Sequence, residues 1–365
     1  MNNSVTTIMI GAAVLAGTQT GCSSDDVKDP ATSSNSASDA DAEADADADA
    51  DADTGDTGDE TPSPIHPLYF TTMTHMEAGH DDDVSEFVFD NHVARLRNTV
   101  EIASAHSGVI TIESELPFAI GCETWGLNMM AEVLEAGHGV GTHCDRDRDA
   151  PDDMPYADFV AELIEKKAAV DALVGPENNT GCSGAGGGIG GIDWVNGVAD
   201  AGFGYINAIV SMHYLSMPMD DRPEGWSDTY IQAVVSHEPA PADLFDRIYL
   251  RRLADSEDFE HDPDGRLVMS AGGLGVLINM AEGEESGVFT IADVDAMVAL
   301  IEEVDAGRDP TRVAKVDVHL SLEVMGDEAT DVLTYFFAEL ERLAEAGTIQ
   351  WATQAEVVAA YTATL

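Results

Sequence analysis

The chain has 365 residues, with 16 Lys and Arg against 69 Asp and Glu and a formal net charge of −53 at pH 7. That length admits one large domain or two ordinary ones. A surface this acidic repels nucleic acid and anionic lipid, which removes nucleic-acid binding from the functions to consider.

The first segments in chain order cannot belong to a core. An apolar run from Ile8 to Gly17 lies within MNNSVTTIMIGAAVLAGTQTGC. It is shorter than the ~20 residues a membrane-spanning helix needs and reads as the apolar part of a signal peptide over residues 1–21. The Thr20-Gly21-Cys22 ending resembles a lipoprotein processing site, with Gln19 where that motif usually has Leu. The expectation is an exported protein held in the bacterial cell envelope by a lipid on Cys22, its only contact with membrane, with a secreted soluble form as the alternative. Residues 22–65, which include DADAEADADADADAD, lack the apolar side chains needed to offset chain entropy and read as a disordered acidic linker. Residues 25–60 carry 14 Asp or Glu and one Lys, which leaves a charge of −40 elsewhere, so the folded part is itself acidic.

Over residues 66–365, short β-branched or aromatic runs alternate with segments of helical spacing, the pattern of repeated β-α units. Strands are expected at Leu68–Thr74, Val109–Glu113, Gly139–His143, Tyr205–Val210, Arg247–Arg252, Leu267–Ser270 and Val316–Leu320. Helices are expected at Val84–Ala105, Leu127–Ala136, Tyr156–Leu173, Ile192–Ala201, Ile291–Asp305 and Ala329–Ala346. Gly137, Gly202 and Gly347 each stand where a left-handed residue stops a helix. The expected fold is one α/β domain, a deformed β/α barrel of about seven strands, with reactive groups at the C-terminal strand ends. If Cys22 carries lipid, Cys122, Cys144 and Cys182 remain, enough for one disulfide, with Cys144 to Cys182 the preferred pairing.

Gly186, Gly188 and Gly191 satisfy a GxGxxG pattern ahead of a helix, but PENNTG supplies no hydrophobic strand before them, and no Gly-Lys-Ser/Thr follows. Dinucleotide and P-loop sites are therefore rejected in favour of a close-approaching loop.

The most specific stretch is EAGHGVGTHCDRD, residues 135–147. A helix ends at Gly137, a short strand follows, and His143 stands at its end with Asp147 four residues on. One backbone turn puts side chains at i and i+4 on one face, so an imidazole and a carboxylate can reach one cation. The plainer reading is a solvated loop in which Asp145, Asp147 and Asp149 pair with Arg146 and Arg148. Here the chain resembles the polysaccharide deacetylase family, in which an Ala-Gly-His helix end and a glycine-rich strand lead to a His-x-x-x-His metal pair. The resemblance implies His143 and Asp147 as ligands of one divalent ion, zinc by expectation, with Asp147 in the place of the second histidine and shifting preference toward harder ions.

The family's paired aspartates at the end of strand one correspond to LYFTTMTHMEAGHDDD, where neither is kept in kind and His75 and Glu77 stand at the strand end. His75 and Glu77 lie two apart on a strand, hence on one face, and either can ligate metal or take a proton. The resemblance implies Glu77 as third ligand or base and His75 as its catalytic partner. His80 with Asp81 to Asp83 is held in reserve, since such a run is more often an acidic turn. His319, at the end of KVDVHLSLE, falls where the family places the general acid, and Asp193 with Trp194 falls in its substrate-side loop. The implied activity is hydrolytic removal of N-acetyl or O-acetyl groups from a polysaccharide or amino sugar. The alternatives are a non-catalytic glycan- or metal-binding surface lipoprotein on the same barrel, and a hydrolase of small non-sugar amides.

Overall fold

The computed structural model describes residues 64–145, 154–184, 192–207, 247–257, 260–277 and 288–365, with a few separate positions between 219 and 231. Chain order begins β1 (Leu68–Met76), α1 (Glu86–Ala105), β2 (Thr111–Ser114), α2 (Leu116–Thr124), α3 (Met129–Glu135), β3 (Gly139–His143), α4 (Tyr156–Val174), β4 (Gly181–Ser183) and α5 (Trp194–Asp200). It continues β5 (Tyr205–Asn207), β6 (Arg251–Leu253), β7 (Leu267–Ser270), β8 (Gly273–Val276), α6 (Ile291–Gly307), β9 (Ala314–His319), α7 (Thr330–Ala346), β10 (Gln350–Trp351) and α8 (Gln354–Thr362). All lie in one unit, Thr61–Leu365.

The strands are ordered β6-β7-β5-β4-β3-β2-β1-β9-β8, with β10 beside β1. β1, β2, β3, β4, β5, β7 and β9 are parallel, and β6 lies antiparallel on β7. Parallel neighbours need crossover segments, which the helices provide. Residues just before β6 turn onto β9 near the other end of the sheet: Tyr249 bridges Ala314 antiparallel, and Lys315 N–H donates to the Ile248 carbonyl at 2.7 Å. That seam closes the mainly parallel sheet into a deformed barrel.

Successive strand residues face opposite ways. In β1, Leu68, Phe70 and Met76 join the outer apolar layer with residues of α1, α6 and α7. Tyr69, Thr71, Met73 and His75 form the other set. The same alternation in β9 puts Lys315, Asp317 and His319 together, and the buried Lys315 ammonium reaches Asn207 Oδ1 of β5 at 2.7 Å. β5 and β9 are not sheet neighbours, so this contact crosses the barrel interior.

Gly137, Gly202 and Gly347 have φ of 89°, 93° and 79° and follow α3, α5 and α7, as their positions in the sequence anticipate. Other elements differ. The β4 segment reads as loop because it is only Gly-Cys-Ser, yet Gly181 has a packing reason: a Cβ there would lie 2.0 Å from the Tyr205 ring. α2 also escapes a periodicity reading, since ELPFAIGCET has little polar face; its Phe118, Ala119, Gly121 and Cys122 are buried. The strand expected at Arg247–Arg252 is realised as the antiparallel β6. Cys122, Cys144 and Cys182 are free thiols, which corrects the preferred Cys144 to Cys182 bridge. Burial and then the adjoining Cys144 push the Cys182 thiol well above its ordinary pKa.

α7 buries Leu333, Phe336, Phe337, Leu340 and Leu343 in the apolar layer that includes Phe70 of β1. Phe336 and Phe337 meet edge to face at 4.9 Å, and Phe70 stands edge-on to Trp351 of β10 at 5.1 Å. Phe336 is fully buried, so Phe336→Ala is expected to cost about 3–5 kcal/mol by leaving a cavity. Denaturant unfolding of the two proteins measures this, and a difference below ~1 kcal/mol would show that the site collapses without loss.

Candidate metal centre

Four parallel strands end in polar side chains at the same end of the barrel: β1 in His75, β2 in Glu113, β3 in His143 and β4 in Ser183. Register brings them together, with His75 opposite Glu113, Glu113 opposite Gly141 and His143 opposite Ser183. Gly141 leaves room for the acid, because a Cβ there would lie 3.3 Å from Glu113 Cγ. The His75 and His143 rings stack across β2 with centroids 3.9 Å apart and planes 18° from parallel. His319, from the other side of β1, stands 4.7 Å from the His75 ring, tilted by 41°.

Carboxylates surround the stack. His75 Nδ1 lies 3.7 Å from Glu77 Oε1, and His75 Nε2 lies 3.4 Å from Glu113 Oε2. His143 Nε2 has Glu77 at 3.7 Å, Asp145 at 3.5 Å and Glu115 at 4.0 Å. Its other nitrogen is 2.9 Å from Ser183 Oγ. Both histidines are almost wholly buried. Lys166 is the counter-cation, 3.2 Å from Glu115, and it also donates to the Asp145 carbonyl.

Burial alone would lower the His75 pKa, but the adjacent Glu113 and Glu77 carboxylates outweigh it and push the imidazole up to about 10. Burial likewise opposes ionisation of Glu77, yet the two histidines hold its carboxyl down to about 2. Against the same penalty, His143 and His75 hold Asp145 well below the usual carboxylate range. In the metal-free chain the centre is thus a buried cation among anions.

The same residues fit a metal ion. One donor atom each from His75, Glu77 and His143 falls within a 4.8 Å cluster. His143 Nε2 is buried without a hydrogen-bond partner, while its Nδ1 is occupied by Ser183, so Nε2 is the nitrogen left for a cation. His75 has its Nε2 turned to Glu113, the outer carboxylate that commonly orients a ligating imidazole. Two imidazoles and a carboxylate form a donor set that zinc accepts.

Of the residues expected from sequence, the fold brings together His75, Glu77, His143 and His319, and it adds His75 to the candidate ligand set. Asp147 lies outside the described residues, as do Cys22, the acidic repeat and the three glycines of the GxGxxG pattern; Asp145, two residues before Asp147, is one of the acids that meet His143. Asp193 and Trp194 have other occupations here. Asp193 caps α5 by accepting from Asn196 N–H at 3.1 Å, and Trp194 is buried in the apolar layer under α4 and α5. The sequence reading missed Glu113, Glu115, Ser183 and Lys166. Glu113 had a usable signal, an acid ending an otherwise apolar strand; Lys166, on a helix with apparently ordinary charge spacing, had none.

Ligation requires the His75 lone pair, which the imidazolium lacks. Metal uptake at pH 7 is therefore expected to release about one proton, measured by calorimetry in buffers of different ionisation enthalpy; His75→Gln should abolish most of that release. The same shift gives a pH dependence of stability. Because the folded pKa is raised from 6.5 to about 10, the His75 contribution is complete below pH 6.5 and is lost as pH rises through 10. Metal-free protein should lose stability between pH 7 and 10 more steeply than His75→Gln; equal slopes would contradict the raised pKa.

No family model matches the sequence, and no curated protein matches it. Solved structures do. A Mycobacterium smegmatis protein assigned as a polysaccharide deacetylase superposes with a TM-score of 0.52 at 11% identity, covering 83% of this chain and 93% of its own. The PuuE allantoinase superposes with a TM-score of 0.53 at 10% identity, covering 84% of this chain and 96% of its own. At such identity the likeness concerns fold: this chain has the mainly parallel, deformed β/α barrel of polysaccharide-deacetylase-type structures.

Proposed function

We propose that the barrel mouth is a hydrolytic metal centre that removes N-acetyl or O-acetyl groups from a polysaccharide or amino sugar. The observation that carries this reading is the His75–His143 stack with Glu77 beside it at the C-terminal strand ends, where barrels of this kind keep their reactive groups. His75, Glu77 and His143 would hold one divalent ion, zinc by donor type. When bound, the ion supplies Lewis acidity to an acyl oxygen and acidity to a water.

The remaining residues divide the work. Glu113 and Ser183 orient the two imidazoles from behind. Asp145, beside His143 and fixed through its carbonyl by Lys166, would stay ionised and accept a hydrogen bond from the attacking water, orienting it. His319, half-buried at the end of β9 and next to the His75 ring, is placed to donate a proton to the departing amine or alcohol. Free acetate and the deacylated sugar are the products. The shared fold with a protein assigned as a polysaccharide deacetylase supports the substrate class. The N-terminal sequence supports the location: export, with lipid on Cys22 and the acidic linker as tether in the cell envelope.

Acetate release from acetylated glucosamine oligomers and peptidoglycan fragments tests the reading. Zinc-loaded protein should release acetate, and chelation should stop it. His143→Ala should lower kcat/KM by more than about 100-fold, beyond the effect of losing an outer partner, and His319→Ala should lower kcat by about 10²–10⁴-fold. Acetate release that survives His143→Ala would sink the proposal. Turnover of small cyclic amides with no acetate release would replace its substrate class.

A further inference from the structure

The connection between β1 and α1 holds a second group of metal-ligating side chains, which the proposed reaction does not use. His80 ends the short 3-10 turn Ala78–His80, Asp81 takes a left-handed φ of 57°, and the chain doubles back so that Asp82 meets His92 of α1. His92 Nδ1 lies 2.8 Å from Asp82 Oδ1. The His80 and His92 rings stand 5.0 Å apart at 57°, and one donor atom from each of the three residues falls within 4.8 Å of the others.

An Asp–His hydrogen bond alone leaves too much unsatisfied. Asp82 is fully buried, its Oδ2 has no hydrogen-bond partner, and neither does the buried Nδ1 of His80. A buried orphan donor or acceptor is costly to leave unmatched, and a cation between them would satisfy both. The site is also held in place. Trp125 Nε1 donates to the Asp82 carbonyl at 2.8 Å, and α2 presses on the same carbonyl through Gly121, where a Cβ would stand 2.8 Å away.

We infer that His80, Asp82 and His92 bind a second divalent cation of the zinc class. Two imidazoles and one carboxylate select a first-row transition ion over calcium or magnesium, which prefer oxygen donors. Three protein ligands leave a coordination position open, and His80 and His92 line a groove of about 260 Å³ shared with Phe87, Arg95 and Glu323. The ion would clamp the start of α1 to the turn after β1. His80 N–H donates to the Glu77 carbonyl at 3.1 Å, so that clamp also steadies the backbone carrying Glu77.

The full chain, stripped of metal, can be titrated with zinc by calorimetry in excess calcium, which competes for weak binding to surface carboxylates. Cobalt absorption provides a second readout specific for imidazole ligation. Wild type should bind two zinc ions, with Asp82→Asn and His92→Ala each binding one. Asp82→Asn keeps an acceptor for His92 while removing the charge, so it preserves the local fold, which circular dichroism checks. His143→Ala should also retain one ion, now at this second centre, and His143→Ala with His92→Ala should retain none. A single ion lost in His92→Ala but kept in His143→Ala would uphold this centre and remove the barrel-mouth one. If Asp82→Asn and His92→Ala bind as many ions as wild type, the inference is overturned.

Discussion

The centre depends on two imidazoles that the sheet forces face to face. His75 and His143 belong to strands that are not neighbours, yet their rings lie 3.9 Å apart over β2. Neutral rings alone would leave the surrounding acids uncompensated. Glu113 and Glu77 resolve this by favouring the charged form of His75 when no metal is present. A metal ion serves the same acids and imidazoles without requiring that proton. The geometry is therefore poised between proton and cation, and the register of β1, β2 and β3 sets it.

Beneath this layer the barrel is polar. Lys315 and Asp317, both fully buried, form an ion pair, supported by Asn207 at 2.7 Å and Gln354 at 3.4 Å; Gln354 donates onward to Thr71 at 2.8 Å. Burial pushes the Lys315 pKa down and the Asp317 pKa up, and their mutual attraction opposes both shifts. Such pairs add little net stability compared with apolar packing, but they tolerate few alternative arrangements. Here the pair links β9, β5 and α8, and Asp317 lies two residues from His319 on the same face. The floor thus fixes the strand that presents His319.

The β1–α1 connection serves both centres. It gives Glu77 to the barrel mouth and His80 with Asp82 to the flank, and α1 returns His92 to meet them. A short turn therefore couples two places where charge is buried. Arg95, one turn further along α1, donates to the Leu322 carbonyl at 2.7 Å, which ties the same helix to the segment following His319.

Much of this architecture was legible in the sequence. Period-two runs and glycine stops marked most parallel strands and the helices between them, because those signals come from local backbone geometry and one-sided burial. His75, Glu77, His143 and His319 were legible too, since a polar residue ending an apolar strand stands out. Short or glycine-rich elements such as β4 were not, because Gly181 is there to make room for Tyr205, a fact about another strand. His80 and Asp82 read as an acidic turn until His92 meets them, and Ser183 and Lys166 gain meaning only through strand register and the packing of α4. The sequence by itself determined which strands end in chemistry. Only the tertiary structure decided which of those ends share a cation, because that depends on distances between segments far apart in the chain.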